Sequence, residues 1–370
     1  MEVSLIKVQQ LSIPETRQVS PSLALYLVVS MQIGIGVLGF QRLIAESAGH
    51  DAWISVLVAG LSIHIIVWMI YKICETVDGD LVSANVFILG KKLGKMISSL
   101  FIVYYICLSI TVLRSYLEVI QVWMFPELST FWFSLVFLLL VLYILYGGFR
   151  TVTGVAYFCT ILPSYLLLTF AFTLEFAEFR NLLPILDHPL TDILKSTYRM
   201  SLTYAGYEIL LFCYPFIKEP DKSKKWAHLG VFITTIVYTT LAILSFAYYS
   251  EGLLSKSVWS TLDMWKIVTM PFVERFEYIG IANWSLVILP NVCLAVWSGS
   301  RIVKRISNFP QKNGIVIITL ICLVAINFFN TRHEINMLND WTGKLGFIFT
   351  FIYIPLLFIA VMVAKKVKRK

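Results

Sequence analysis

The sequence predicts an all-α membrane protein of about ten transmembrane helices, and three observations carry that expectation. Hydrophobic residues make up 58% of the 370 and charged residues only 14%, against roughly 45–50% and 25% in a soluble domain. So few polar side chains cannot cover so much apolar surface, and lipid must cover the rest. Apolar runs of helical length recur along the whole chain, each near the ~20 residues that cross a hydrocarbon layer of ~30 Å. Lastly, the basic residues alternate between successive loops, as they do in multi-pass proteins.

In order, the expected spans are Ser22–Phe40, Ala52–Tyr71, Met96–Val122, Phe131–Phe149 and Val152–Leu174, then Thr197–Ile217, Leu229–Tyr249, Tyr278–Ser300, Ile315–Phe329 and Gly343–Ala364. The ninth is short and needs the support of a bundle. Loops between them are brief, which predicts a single polytopic membrane domain over 1–370. The leader Met1–Ser20 is polar and does not read as a signal peptide.

An even number of spans places both termini on one side. That side holds Lys7, Arg17, the Lys72 and Lys91–Lys95 region, Arg150, Lys218–Lys225, Arg301–Lys312 and the tail Lys365–Lys370. Together these are 20 of the 30 basic residues; nine lie on the other side, and Arg114 falls inside a span. The excess predicts cytoplasmic termini. It also accounts for the net charge of +8 as topology control, without nucleic acid. Six scattered cysteines form no C-x-x-C pair and the five histidines show no metal spacing, so no metal, cofactor or disulfide framework is expected. Nor is there a Walker A motif, nucleophile elbow or H-E-x-x-H, which leaves soluble-type catalysis without support. The outer loop 250–272, with Leu253, Leu254, Val258, Trp259, Leu262, Met264 and Trp265, suits an interfacial amphipathic helix.

The chemistry gathers at two irregular places. Gly34-Ile35-Gly36-Val37-Leu38-Gly39 fits the dinucleotide pattern, but it sits in an apolar helix without the strand that pattern needs. Two readings remain: close helix packing through small residues, or a break that frees N–H groups at mid-depth to meet a carboxylate. The sixth span carries Tyr204-Ala-Gly206-Tyr-Glu208 with Pro215 beyond. An ionisable residue at that depth is functional or paired, and Gly206 is a weak point beside it. Interruptions at the head of each five-span half are the mark of a transporter-type site. Arg114 and Glu118, four apart, are expected to pair with each other or with a neighbour. Tyr104 and Tyr105 line a pocket or pack in the core, and Asn283, Asn291 and Ser298 suit hydrogen bonds across helices.

At these residues the chain resembles the B subunits of bacterial spore germinant receptors, in the amino acid–polyamine–organocation superfamily. The resemblance rests on the lead into Pro21, the glycines 34, 36 and 39, Ala48-Gly-His-Asp51-Ala-Trp53, and above all Gly206-Tyr-Glu208 through Tyr214-Pro215-Phe216. Relatives commonly carry a proline soon after the first-span glycines; Phe40-Gln41 stands there in this chain. The resemblance implies a 5+5 inverted-repeat transporter fold with the first and sixth helices broken. It implies a membrane subunit that binds a germinant, usually an amino acid, alongside A and C subunits in the inner membrane of the spore. The candidate ligand-binding residues are Gly34, Ile35, Gly36, Val37, Tyr105, Tyr204, Gly206 and Glu208. The rival expectation is a proton-coupled amino acid permease with Glu208 as proton carrier.

Overall fold

The computed structural model describes residues 13–271 and 273–369; Lys7, Lys370 and most of the polar leader lie outside the described residues. The helices that concern the site are α1 (Leu23–Gln32), α2 (Phe40–Ala48), α3 (Ala52–Val77), α4 (Leu81–Trp123), α5 (Thr130–Tyr146), α6 (Phe149–Phe176) and α7 (Leu190–Thr203). They continue with α8 (Tyr207–Phe216), α9 (Pro220–Tyr248), α10 (Ser260–Trp265), α11 (Phe276–Ser307), α12 (Gln311–Ile326) and α13 (Arg332–Val367). Six helical stretches are long and apolar enough to cross a membrane, and four shorter apolar helices accompany them among the described residues. On α5 the exposed Val136, Leu139, Leu140 and Tyr143 recur at helical spacing, an apolar stripe suited to lipid.

Helix ends overrun the expected spans where charge begins. The helix after the first break runs through Arg42 and Glu46 to Ala48, and α7 starts at Leu190, carrying Lys195 and Arg199. Apolarity marks the part of a helix in hydrocarbon, whereas the backbone ladder continues into water. α4 begins at Leu81, where the Asp80 carboxylate caps it by accepting from Ser83 N at 2.9 Å. Gly90, at φ +75°, then bends the chain into the long apolar stretch. Thr331 and Glu334 form a reciprocal capping box that starts α13.

Four long helices, α3, α4, α9 and α11, surround the broken ones. α1 packs on α6, α9 and α11, while α2 packs on α3 and α7. The loop between α9 and α11 corrects the expectation of an interfacial helix. Leu254, Leu262, Met264 and Trp265 are buried in the protein, with Leu253 and Val258 left exposed. Trp265 stacks on Phe170 and meets Trp284 edge-on, so protein packing outcompetes the membrane surface for these side chains.

Candidate functional site

Both interruptions foreseen in the sequence are present. α1 stops at Gln32, a short 3-10 turn follows over Ile35–Leu38, and α2 resumes at Phe40. Glycine is required here by close approach. A Cβ on Gly34 would collide with Asn291 Oδ1 and one on Gly39 with the Val258 carbonyl; one on Gly36 would crowd Thr203 at 3.1 Å. The second break lies between α7 and α8 at Tyr204–Gly206. Gly206 has φ +119°, a conformation L side chains resist, and a Cβ there would stand 2.7 Å from Met31.

Breaking a helix orphans the carbonyls of its last turn, and side chains from other helices take them up. Tyr238 of α9 donates its hydroxyl to Gln32 O at 2.7 Å and to Thr203 O at 3.1 Å, joining the two breaks through one oxygen. Gln32 Nε2 reaches across to Tyr204 O at 3.3 Å, and Trp284 Nε1 donates to Gly34 O at 3.3 Å. Beyond the first break, Thr261 donates to Val37 O at 2.7 Å. Gln41 donates to Thr261 and accepts from Ser260, both at 2.8 Å. Two kinds of group are left over. Among the described residues no acceptor meets the N–H of Gly34 or Ile35, and the buried Gln32 Oε1 has no donor.

Glu208 is fully buried and plays a capping part. One carboxylate oxygen accepts from the Tyr104 hydroxyl at 2.8 Å and the other from Gly206 N at 2.8 Å, which satisfies an orphaned donor at the start of α8.

A cavity of about 1090 Å³ reaches from the breaks toward the end of the molecule remote from the termini. Its inner wall includes Gln32, Gly34, Ile35, Gly36, Thr203 and Ala205; charged side chains such as Arg42, Glu46, Arg199 and Lys344 line its mouth. Of the candidate residues, Gly34, Ile35 and Gly36 line this cavity. Val37, Tyr105, Tyr204, Gly206 and Glu208 stand behind the wall, buried. Gln32, Ala205 and Asn291 line it without having been candidates. At the opposite end the cavity is closed. Val19 pairs with Ile217 through bonds to Phe216 O and from Lys218 N, both 2.8 Å, and Phe149, Phe216 and Trp297 pack together.

At the mouth, Arg114 and Glu118 do not pair with each other. Arg114 Nε donates to Phe329 O at 2.5 Å, while Glu118 accepts from Arg332 at 2.5 Å, with Trp259 beneath the guanidinium. Each therefore takes the neighbour that sequence spacing left open. Asp51, where α3 begins, holds the loop that precedes α7: it accepts from Leu186 N at 2.9 Å and His188 N at 3.1 Å. Burial opposes its ionisation, but these donors together hold its carboxyl below the ordinary carboxylate value.

Apolar helices in a multi-span bundle, two of them broken at mid-course around one cavity, define a membrane protein of transporter-like fold. Solved structures agree on the fold. A Na+-coupled sialic acid symporter in a substrate-bound, outward-open state superposes with a TM-score of 0.67, covering 94% of this chain and 79% of that one at 11% identity. MhsT in complex with L-phenylalanine superposes with a TM-score of 0.59, covering 94% and 99% at 12% identity. The family model described as spore germination protein matches residues 18–335. The chain belongs to the spore germination protein family. Spore germination protein GerQB of Bacillus cereus is 41% identical over 357 residues, 96% of this chain and 99% of that one. Spore germination protein B2 of Bacillus subtilis (strain 168) is 23% identical, over 89% and 90%.

Proposed function

We propose that this chain is the ligand-binding membrane subunit of a germinant receptor, and that it takes a small amino acid in the cavity at the two breaks. The observation that carries the reading is the unmatched pair at the cavity's inner end. There the N–H groups of Gly34 and Ile35 lack acceptors, and Gln32 Oε1 lacks a donor. A carboxylate suits the first set, adjacent N–H groups in the break of the helix, and an ammonium the second. The Thr203 and Tyr204 carbonyls already accept from Tyr238 and Gln32, which leaves Ala205 and Gln32 for the ammonium. Tyr105, Tyr204, Gly206 and Glu208 then act by holding the wall in shape, and Val37 through its carbonyl. That MhsT is solved with L-phenylalanine supports an amino acid as ligand class for the fold.

In this reading the ten expected spans form a 5+5 inverted repeat in the inner membrane of the spore. Both termini are cytoplasmic, the cavity faces outward, and A and C subunits complete the receptor. The test is exchange of this subunit between two receptors of different germinant preference, with germination followed by loss of refractility. Preference should follow this subunit; preference that stays with the other subunits overturns the proposal. A second reading, a proton-coupled permease, draws support from a cavity open at one end and sealed at the other, the form of one state of a carrier. Sustained concentrative uptake of labelled amino acid into proteoliposomes would favour it.

A further inference from the structure

The end of α1 presents an oxygen cluster whose occupant is a side chain. Losing their helical partners turns the Ser30 and Ile33 carbonyls toward α11, where both meet Nδ2 of Asn291 (Ile33 O at 3.5 Å). The same nitrogen faces Val287 O, one turn back in its own helix, at 3.4 Å. Three carbonyl oxygens thus surround an atom that carries two hydrogens, one acceptor more than an amide nitrogen can serve one-to-one. The amide cannot be turned over, because Oδ1 would then face three acceptors. It lies instead against Gly34, in the space a Cβ would fill. Asn291 is buried but for an edge that lines the cavity.

Neutral backbone oxygens converging from two helices, at the negative end of one of them, form a ligand set for a small monovalent cation. In this chain the place at its centre is taken by Nδ2, which carries a partial positive charge. We propose that the Asn291 amide is a tethered substitute for a monovalent cation, fastening α11 to the broken end of α1 so that the junction assembles independently of Na+. The inference concerns that junction and holds whatever small molecule the cavity takes. A cation could enter only if the amide were removed.

The test uses the purified full chain in detergent. Saturable ²²Na+ binding and the thermal unfolding midpoint are measured in NaCl, KCl and choline chloride at equal ionic strength. The unsubstituted protein should bind no ²²Na+ saturably and unfold at one midpoint in all three salts. Asn291→Asp replaces the N–H donors with an oxygen. It should bind ²²Na+ saturably, with a midpoint that climbs with Na+ at the expense of choline. Asn291→Ser, smaller and carrying a hydroxyl oxygen, is the second variant and should gain the same dependence. Folding of either variant in NaCl but not in choline counts as the expected result. Saturable ²²Na+ binding by the unsubstituted protein that Asn291→Leu removes would overturn the proposal. So would variants that fold yet ignore the cation, or that fail to fold in every salt, since Na+ should then be able to stand where the amide stood.

Discussion

Substituting Glu208 by glutamine and by leucine separates its hydrogen bonding from its bulk. Its carboxylate satisfies two buried donors, the Tyr104 hydroxyl and Gly206 N–H, each at 2.8 Å. A buried donor left without a partner costs ~1–3 kcal/mol, so Glu208→Leu is expected to lose ~2–6 kcal/mol. Glu208→Gln keeps an oxygen for Gly206 N–H and turns its amide N–H toward the Tyr104 oxygen, which accepts once its hydroxyl rotates; the loss should stay within ~1 kcal/mol. Because polytopic proteins rarely unfold reversibly, the rate of thermal loss of monodisperse protein in detergent is the suitable readout. If the cap is lost before the rate-limiting step, ~2 kcal/mol corresponds to an inactivation rate ~30-fold faster for leucine, with glutamine within about fivefold of the unsubstituted protein. Tyr104→Phe removes one of the two donors, so in the Leu background it should cost less than it does alone. A leucine variant as durable as the original would show that the carboxylate caps nothing. A glutamine variant as labile as the leucine one would show that charge, not hydrogen bonding, is what α8 needs.

The helix breaks give a second expectation. Gly34→Leu should abolish the germinant response and Gly206→Ala should weaken folding, the first by striking Asn291 and the second through φ +119° and contact with Met31. A normal dose-response in well-expressed Gly34→Leu would remove the first break from the site. Sidedness is checked in a cysteine-free background with an impermeant thiol reagent on intact cells. Cysteines at Lys222 and Asn308 should be shielded and those at Leu186 and Lys256, all exposed, should react; the reverse pattern would invert the proposed topology. For Asp51, a carboxyl held below its ordinary 3.8 in the folded protein contributes stability above that value. The contribution is lost as pH falls through the lower folded value. Exchange of the Leu186 and His188 amides, corrected for intrinsic rate, should therefore accelerate below about pH 3.8 and stay level in Asp51→Asn; unchanged protection in the acid would remove Asp51 as the loop's anchor.

The breaks were legible in the sequence because their causes are local. Three glycines in six residues, and a glycine two before an intramembrane glutamate, weaken the ladder wherever the rest of the chain lies. What satisfies the breaks was not legible. Tyr238 and Trp284 look like ordinary apolar-span residues, and they reach Gln32 and Gly34 across 206 and 250 positions of chain. Asn291 reads only as a residue suited to bonding across helices; its role depends on which carbonyls the break sets free. Gln32 carried a usable signal, an amide beside a glycine cluster in an otherwise apolar span. The permease reading drew attention to Glu208 by its charge, but a carboxylate two residues past Gly206 is placed to reach back to that residue's N–H. Charge alone does not distinguish a cap from a carrier.

The two breaks also depend on each other, which explains why they lie side by side. Gln32 at the end of α1 supplies a donor to Tyr204 O, and the Gln32 carbonyl shares the Tyr238 hydroxyl with Thr203 O. Gly206 lacks a side chain where Met31 crosses it. α1 thus supplies a donor that the second break lost, and α9 serves both breaks from one hydroxyl. Moving α1 relative to α7 would strand Tyr204 O and whichever of Gln32 O and Thr203 O the Tyr238 hydroxyl left behind, at ~1–3 kcal/mol for each buried polar group left unpaired. Such a junction favours two packed arrangements over a continuum between them. A ligand touching both Gly34 and Ala205 would bear on that choice only through contacts that differ between the two arrangements. The groups still unmatched, the N–H donors of Gly34 and Ile35 in the first break and the Gln32 amide oxygen, are where such a difference can arise.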